Sequence, residues 1–374
     1  MKFLCLPGAY GSAKNFKVQL GPLAEELEKR GLGSFTYSQG TFEVEPPVGW
    51  EDYFGSRPLY RFLDTSKGDA FETLRRLRHV PRGMNPEETM RQFKKAGDEE
   101  NKNNASSSSE GEGESPHRPK ADKTDWQTRA WRGALDGVFK TIEEDEEIDA
   151  IVGYSEGAMV GASLVLEEGL RFKRSGTPRR IKFAIFISGA PPLKFEGNGK
   201  IVPQLFDESG TVIDIPTYHI FGCDDAFLSS AVALFNVCDQ ENAMMYDHGL
   251  GHIVPRDVEN VTLLGQFLGD FAPRVEREWK MKELQSSGDT NGKRGTSGGR
   301  PRLVHTRTGS ETSETDDEEG AEKEYKRERE MKMLSRARSF RGRSRGASLK
   351  GLAAAAVQAQ AQAHVQTQGG QGQV

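Results

Sequence analysis

The chain has 374 residues, of which 35 % are hydrophobic and 29 % charged, and its formal net charge is −5. A charge this close to zero argues against nucleic-acid binding through bulk electrostatics. Cys5, Cys223 and Cys238 are too few and too scattered for a disulfide framework or a zinc site, so we expect buried, reduced thiols. No apolar run reaches about 18 residues, and the first one breaks at Pro7-Gly8. These features predict no membrane span and a cytoplasmic protein, with nuclear presence left open.

Two polar segments dilute the apolar content of the chain. Residues 83–123 include “KKAGDEENKNNASSSSEGEGESPHRPKADK”, which offers almost no large apolar side chain for burial. Such a segment cannot offset the entropy lost on ordering, so we predict a disordered insertion. Residues 276–374 are predicted to form a disordered, low-complexity tail, whose basic block “RARSFRGRSRG” either contacts RNA or a phosphorylated partner or is only solvated charge. Residues 1–275, with the insertion inside them, form one predicted domain.

Within that domain, short apolar runs alternate with stretches that have the apolar spacing of helices. Strands are predicted at 2–6, 34–37, 150–153, 182–189, 216–222 and 242–249. Helices are predicted at 15–31, 125–144, 158–169, 227–239 and 256–271. Strands that alternate with helices favour an α/β fold, a mainly parallel sheet of about six strands with helices on both faces.

The run “IVGYSEGAMV” places Ser155 between Gly153 and Gly157, after a predicted strand and before a predicted helix. A serine on such a sharp turn presents its hydroxyl at the end of a strand, as a nucleophile requires. The alternative is a serine in an ordinary glycine-rich turn. Ser297, in “GTSGG”, fits the same G-x-S-x-G pattern without a predicted strand before it or a predicted helix after it. Context therefore favours Ser155 as the nucleophile.

A serine hydroxyl needs a base that accepts its proton, so a histidine is expected further along the chain. His219 lies inside the apolar run “TYHIF”, which favours a buried core imidazole. His252 lies in “DHGLGHIVPRD”, the predicted loop before the last helix, where the base of a Ser…Asp…His enzyme belongs. We therefore predict His252 as the base.

An orienting carboxylate is expected between the serine and the histidine, after another strand. Asp224 and Asp225 directly follow the predicted strand “PTYHIFG”, and the residues alone leave both open. Alternatively, these two aspartates only cap the helix that follows them. Asp239 and Asp247 are weaker candidates, and Asp247 is expected to orient its neighbour His248 instead.

Acyl transfer also needs N–H donors for the oxyanion of the tetrahedral intermediate. One is expected from Glu156, which directly follows Ser155 at the start of a helix. The other is expected from Ala9, in the turn “LPGAYGS” after the first strand, where Gly8 lets the backbone approach.

Four motifs, in this order, resemble the fungal serine hydrolase (FSH) family of the α/β-hydrolase superfamily: “FLCLPGAYGSAKNF”, “IVGYSEGAMV”, “PTYHIFGCDDAFL” and “HGLGHIVP”. Residues 42–64 also resemble the Pro- and aromatic-rich segment that these proteins carry near the active site. The resemblance implies Asp225 as the acid, because the family acid follows a strand glycine as G-x-x-D. It implies His252 as the base, the second histidine of H-x-x-G-H-x-V-P.

The turn after the first strand departs from the family pattern. Members commonly have His-Gly where this chain has Pro7-Gly8. Proline lacks an N–H, but the expected donor lies two residues after Pro7, at Ala9. The oxyanion site is therefore expected to survive this change.

The resemblance implies a serine hydrolase that cleaves an acyl ester or thioester, related to thioesterases that release products from polyketide synthases. Its substrate would be a small-molecule or carrier-bound acyl group, and its product a polyketide or fatty acid. A polyketide synthase is the implied partner, and neither a cofactor nor a metal is implied. Two other functions stay open: a catalytically idle hydrolase fold that acts as a binding or scaffold protein, and an acyltransferase that uses the same triad.

Overall fold

The apolar runs of the sequence form a six-stranded sheet in which every neighbouring pair of strands is parallel. The computed structural model describes residues 1–46, 49, 51, 53–63, 85–92, 123–195 and 201–288. Its strands are β1 (Lys2–Leu6), β2 (Ser34–Tyr37), β3 (Phe42–Val44), β4 (Leu59–Arg61), β5 (Ile148–Tyr154), β6 (Phe183–Ile187), β7 (Leu193–Phe195), β8 (Ile201–Pro203), β9 (Thr217–Phe221) and β10 (Ala243–Asp247). The sheet has the order β10-β9-β6-β5-β1-β2, while β3 with β4 and β7 with β8 form antiparallel hairpins.

Helices occupy the connections between the parallel strands. They are α1 (Ala13–Lys29), α2 (86–92), α3 (Lys123–Glu144), α4 (Glu156–Ser175), α5 (Phe206–Ser209), α6 (Leu228–Asn236) and α7 (Val258–Gly288). The start of α1 is capped by Ser12, whose Oγ accepts a hydrogen bond from the Asn15 N–H at 3.1 Å. A serine in this position satisfies one of the N–H groups that a helix leaves free at its start.

One face of the sheet packs against α1 and α7. Cys5, Val152 and Ile185 are buried there in a single core with Phe16 of α1 and Leu264 of α7. Side chains alternate between the two faces along a strand, so the residues between these three point the other way. A parallel sheet covered in this manner on both sides explains why its strands are continuous apolar runs.

The other face packs closely against α4. A Cβ placed on Gly161 of α4 would lie 2.9 Å from Ile151 Cγ2 and 3.6 Å from both Leu6 Cδ1 and Phe186 Cε1. The glycine therefore lets the helix approach the strands directly. The predicted fold class, α/β with a parallel sheet of six strands and helices on both faces, is confirmed.

The order of the strands reverses next to β1. From β1 the chain moves to β2 at one edge of the sheet, and it later returns to β5 on the other side of β1. The connections after β1 and β5 therefore leave the sheet in opposite directions. In open parallel sheets, ligands bind in the crevice that this divergence creates at the carboxyl ends of the strands.

The predicted disordered insertion needs a correction. Helix α2 lies inside residues 83–123, and Asn236 Nδ2 of α6 donates to the buried Glu87 Oε1 at 2.8 Å. Ser230 of α6 also contacts Met90, with 3.0 Å between Oγ and Sδ. The prediction is wrong for residues 85–92, because the average composition of the segment hides one short helix with partners on α6. Residues 93–122 lie outside the described ones.

The predicted start of the tail at residue 276 also needs a correction. Helix α7 continues to Gly288, and Val275 near the middle of it is only 2 % exposed. Residues 1–279 belong to one compact unit, and the described part of a second unit consists of residues 280–288. The rest of the predicted tail, including Ser297, lies outside the described residues.

Candidate active site

The turn between β5 and α4 holds Ser155 in a strained backbone conformation. Its φ is 52° and its ψ is −115°, a region that residues other than glycine rarely adopt. The Ser155 N–H donates to the Ile187 carbonyl at 2.9 Å, which anchors the turn to the neighbouring strand β6. Strain of this kind costs about 1–3 kcal/mol and persists where the surrounding structure enforces it.

The two glycines of the G-x-S-x-G pattern are required by packing. A Cβ on Gly153 would lie 2.5 Å from Ala158 Cα, and one on Gly157 would lie 2.2 Å from the Leu6 carbonyl oxygen. Both distances are too short for any larger residue. The glycines therefore allow α4 to start against the ends of β5 and β1, which places Ser155 in the crevice beside β1.

Three predicted site residues meet at the carboxyl ends of the strands. His252 Nε2 lies 2.9 Å from Ser155 Oγ, and His252 Nδ1 lies 2.9 Å from Asp225 Oδ2 and 3.1 Å from Asp225 Oδ1. The His252 side chain is 26 % exposed, whereas the Asp225 side chain is fully buried. This arrangement can pass the serine proton to the imidazole while the carboxylate stabilises the charge that results.

The environment of Asp225 favours its ionised form. Burial alone would raise the pKa of Asp225, but the charge of His252, its hydrogen bond, the Phe227 N–H and the Ser188 hydroxyl together lower this pKa below its ordinary value. The Phe227 N–H donates to Asp225 Oδ1 at 2.7 Å. Asp224, by contrast, is exposed, so only Asp225 faces the histidine.

Two aromatic residues hold the His252 ring. The Tyr154 hydroxyl donates to the His252 carbonyl at 2.8 Å, and the two ring centroids are 5.4 Å apart. The Phe227 ring also contacts the imidazole, with 4.9 Å between the two ring centroids. Tyr154 directly precedes Ser155 and Phe227 lies two residues after Asp225, so the same turns that position Ser155 and Asp225 also orient the histidine.

The turn after β1 lies against the serine. A Cβ on Gly8 would come 3.1 Å from Ser155 Cβ, and the Gly11 N–H closes the turn onto the Gly8 carbonyl at 3.0 Å. Among the described residues, no acceptor takes the N–H of Ala9 or of Glu156. The two N–H groups that the sequence predicted as oxyanion donors are therefore uncommitted and border the same crevice.

A buried ion pair beside the serine was missed by the sequence analysis. Arg61 Nη2 lies 2.6 Å from Glu156 Oε2, and the two side chains are 13 % and 5 % exposed. Glu156 Oε1 accepts hydrogen bonds from the N–H groups of Phe62 at 2.7 Å and Leu63 at 3.1 Å. The only sequence signal was the resemblance that placed residues 42–64 near the active site.

The other histidines and acids have structural partners. His219 is buried between Phe186 and Phe235, and burial lowers its pKa to about 3. Asp247 was expected to orient His248, but its Oδ1 instead accepts the N–H groups of Cys223 at 2.9 Å and Gly249 at 2.8 Å. That expectation is wrong, because the loops around Asp247 offer backbone donors closer to its carboxylate.

Two further features bear on what the site can hold. Within the described ranges, no group of three or more His, Cys, Asp or Glu residues is arranged to bind a metal ion. In the same part of the chain, no helix combines the length and the apolar character needed to cross a bilayer. All three cysteines are free; Cys5 and Cys238 are buried, but Cys223, on the turn before Asp225, is only half-buried.

An α/β sheet with serine, histidine and aspartate in contact at the carboxyl ends of its strands is typical of serine hydrolases. The family model described as Serine hydrolase (FSH1) matches residues 1–263. The chain therefore belongs to this serine hydrolase family, and the resemblance found in the sequence is confirmed.

Several curated relatives have esterase or hydrolase names. Esterase FPY3 of Fusarium mangiferae is 32 % identical over 148 residues, which are 38 % of this chain and 62 % of that protein. Hydrolase phiM of Talaromyces stipitatus is 22 % identical over 262 residues, 69 % of this chain and 82 % of that protein. The chain thus spans less than two thirds of the length of the Fusarium relative. Among solved structures, Arabidopsis thaliana SOBER1 is 14 % identical with a TM-score of 0.36, covering 74 % of this chain and 98 % of that chain.

Proposed function

We propose that this protein hydrolyses an acyl ester or thioester through an acyl-enzyme, with Ser155 as nucleophile, His252 as base and Asp225 as the acid that orients the base. The observation that carries the proposal is the line of hydrogen bonds from Asp225 through His252 to Ser155. Membership of the Serine hydrolase (FSH1) family and the esterase names of relatives support the same class of reaction.

In the first half of the reaction, Ser155 Oγ attacks the acyl carbon and His252 Nε2 takes the hydroxyl proton. The bond from the acyl carbon to the leaving oxygen or sulfur then breaks, and His252 gives the proton to the departing group. In the second half, water attacks the acyl-enzyme and loses a proton to His252 Nε2. The bond to Ser155 Oγ breaks, Oγ recovers the proton, and the carboxylic acid leaves.

The backbone N–H groups of Ala9 and Glu156 stabilise the negative oxygen in both tetrahedral intermediates. Their support is that both groups are uncommitted among the described residues and flank the turn that carries Ser155. Donors fixed in place before the reaction need no reorganisation as the charge develops. Removal of one such donor typically lowers kcat by about a hundredfold to a thousandfold.

Covalent labelling tests this assignment. A fluorophosphonate probe should label the native chain on Ser155, and Ser155→Ala should abolish both labelling and hydrolysis of a small ester. Ser297→Ala, which changes the other G-x-S-x-G serine, is the matched control and should alter neither. An adduct on any other serine contradicts the mechanism. A native chain that is neither labelled nor active supports a scaffold role, and ester products formed in added alcohol support an acyltransferase.

Thioesters are proposed as substrates together with oxygen esters. The acyl group would be a polyketide or fatty-acyl chain, and a polyketide synthase would be the partner that carries it. The support is chemical, because His252 Nε2 can protonate either a thiolate or an alkoxide as it leaves. Comparable kcat/KM for S-butyryl N-acetylcysteamine and for its oxygen analogue, O-butyryl N-acetylethanolamine, supports this substrate range. Turnover of the oxygen ester alone contradicts it.

A cytoplasmic location is proposed from the three cysteines. Cys5, Cys223 and Cys238 are unpaired, as is usual in compartments that keep thiols reduced. Microscopy of a fluorescent fusion of the full chain tests the location. Signal confined to the nucleus or found in the medium contradicts it.

A further inference from the structure

Strand β4 contacts the turn that carries the first proposed oxyanion donor, Ala9, and the side chain of Glu156, whose N–H is the second. Tyr60 forms an antiparallel bridge with Gly11, at the end of the turn that carries Ala9. The Arg61 guanidinium lies 5.4 Å from the centroid of the Tyr10 ring, in the same turn. One short strand therefore contacts the turn of the first donor through both its backbone and its arginine.

The same strand also binds the residue that carries the second donor. Glu156 Oε2 accepts from Arg61 Nε at 3.0 Å and Nη2 at 2.6 Å, so the arginine uses two nitrogens on one carboxylate oxygen. Glu156 Oε1 takes two backbone N–H groups, from Phe62 and Leu63. Four donors thus fix the Glu156 side chain, and through it the first residue of α4.

We propose that the buried Arg61–Glu156 pair is a brace that sets the separation of the Ala9 and Glu156 N–H groups, so that Arg61 and the Glu156 side chain are positioning residues for the oxyanion site. This inference rests on the proposed function. Its geometric basis is that Arg61 lies against Tyr10, next to Ala9, while it binds Glu156, whose own N–H is the other donor.

Stability alone is a weak explanation of such a pair. Removing two charges from water costs several kcal/mol per ion, and their attraction often only balances that cost. Burial would lower the pKa of Arg61, but the charge and hydrogen bonds of Glu156 outweigh burial and raise this pKa. The arginine therefore stays charged, and four hydrogen bonds fix Glu156 beside a site where about 1 Å of misplacement can cost a hundredfold in rate.

Two single variants separate positioning from simple electrostatics. Arg61→Met leaves a buried negative charge near the developing oxyanion, whereas Glu156→Gln leaves a positive one. An electrostatic effect alone would therefore slow the first variant and speed the second. If the pair is a brace, both single variants should be slower than native, by about tenfold or more in kcat/KM per labelled site. The double variant should be no slower than the worse single variant, because the pair acts as a unit.

Arg179→Met is the matched control. Its arginine is 12 % exposed and lies 2.6 Å from Asp214 Oδ1, but both residues precede strands and so lie at the opposite edge of the sheet. Active sites are counted with a fluorophosphonate, and kcat/KM is measured for a butyryl ester. The Ki of a trifluoromethyl ketone is measured as well, because this inhibitor forms a tetrahedral oxyanion adduct. In the Arg61 and Glu156 variants, Ki should rise in proportion to the loss of kcat/KM; in the control both should stay native.

The outcomes distinguish the brace from the function on which it rests. Native kcat/KM and Ki per labelled site in both single variants, or a faster Glu156→Gln, overturn the brace while Ser155 labelling stands. Failure of Ser155→Ala to abolish labelling overturns the function itself. If Arg61→Met does not fold, Arg61→Lys answers the question, since one ammonium cannot place two nitrogens on Glu156. That variant should be slower than native, and native rates in it overturn the brace.

Discussion

The carboxyl ends of the parallel strands form one edge of the sheet, the carboxyl edge, and their amino ends form the opposite, amino edge. The two edges differ in backbone strain and in the pairing of their charged groups. Among the described residues other than glycine, positive φ occurs at Ser155 and Ser188, which directly follow β5 and β6, and at Tyr10, which lies in the turn after β1. Each therefore lies at the carboxyl edge, where Asp225 is also buried. Strained backbone is costly, so its concentration at one edge indicates selection for something other than stability.

The amino edge shows the opposite treatment. Lys2 pairs with Asp145 at 2.7 Å and with Glu147 at 3.0 Å, in positions open to solvent. Glu168 Oε2 accepts the Ile181 N–H at 3.2 Å just before β6. Here charges pair with one another in partly exposed positions or, as at the buried Glu168, satisfy backbone N–H groups. The comparison suggests that changes at the carboxyl edge affect activity first, and changes at the amino edge affect little.

The largest effect is expected from the acid. Asp225→Asn should lower kcat by about three to four orders of magnitude, because the amide no longer holds the His252 tautomer or stabilises its charge. Asp224→Asn is the natural control, since Asp224 is exposed, and it should retain native turnover. Steady-state kinetics on one ester decides the matter. Equal losses in the two variants, or the reverse order, would show that the acid is wrongly assigned.

The next effect tests the close approach of α4 to β1. Gly157→Ala would place a Cβ 2.2 Å from the Leu6 carbonyl oxygen, and overpacking of this kind costs about 1–3 kcal/mol. The shift of α4 should also displace Ser155, so labelling by fluorophosphonate should slow sharply. Urea unfolding and labelling rates measure the two effects.

The control for that change is Gly133→Ala in α3. Gly133 is exposed and has no neighbour within 4 Å of the added Cβ. Alanine in a helix interior is favoured over glycine by about 0.5–1 kcal/mol, so this variant should be slightly more stable and fully active. Loss of labelling in it would mean that glycine spacing does not account for the Gly157 effect.

Much of this arrangement could be predicted from the sequence, because it depends on residues that lie close together in the chain. Strand, serine and helix follow one another within “IVGYSEGAMV”, and a parallel sheet then brings the ends of all its strands to one edge. The pattern of strands and helices did not decide between Asp224 and Asp225; only the G-x-x-D spacing of the resemblance favoured Asp225. That choice depends on which carboxylate the turn after β9 buries, and the Asp225 N–H that donates to the Gly222 carbonyl at 3.0 Å defines that turn.

Other features depend on contacts between distant segments. Arg61 and Glu156 are 95 residues apart in sequence, and no spacing pattern links a hairpin strand to a helix start. Helix α2 escaped detection because its contacts with Ser230 and Asn236 lie on another element. The spacing of apolar residues predicts a helix or a strand, but it does not predict which distant side chains that helix or strand will contact.

A buried polar group away from both edges gives a third test. His219 lies in the middle of β9 with its Nε2 3.0 Å from Thr217 Oγ1, and burial lowers its pKa from 6.5 to about 3. Below pH 6.5 the unfolded chain binds a proton that the folded chain refuses, so stability is complete above that pH and falls as pH drops towards 3. The slope from this one group is about 1.4 kcal/mol per pH unit.

His219→Gln should remove that slope. Urea unfolding at pH 7 and pH 5 should show a smaller loss of stability in the variant than in the native chain, by about 2 kcal/mol. Its kcat/KM should stay native, because the residue touches neither Ser155 nor His252. An unchanged pH dependence would mean that His219 is protonated in the folded state, and a large loss of activity would break the distinction between the edges and the centre.

The smallest effect is expected at the amino edge, from Lys2→Met. Hydrogen bonds that Lys2 donates to Asp145 and Glu147 raise the pKa of Lys2 above its ordinary value, so the pairing stabilises the fold below that ordinary value and is lost as pH rises through the raised one. At neutral pH the lysine is therefore paired and charged in the native chain, yet an exposed pair of this kind contributes little. We expect a small fall in Tm in dilute buffer that disappears near 1 M salt, where charges are screened beyond about 3 Å. Ester turnover should be unchanged. A fall in kcat/KM without a fall in Tm would show that the amino edge acts on the reaction, and it would remove the contrast between the two edges.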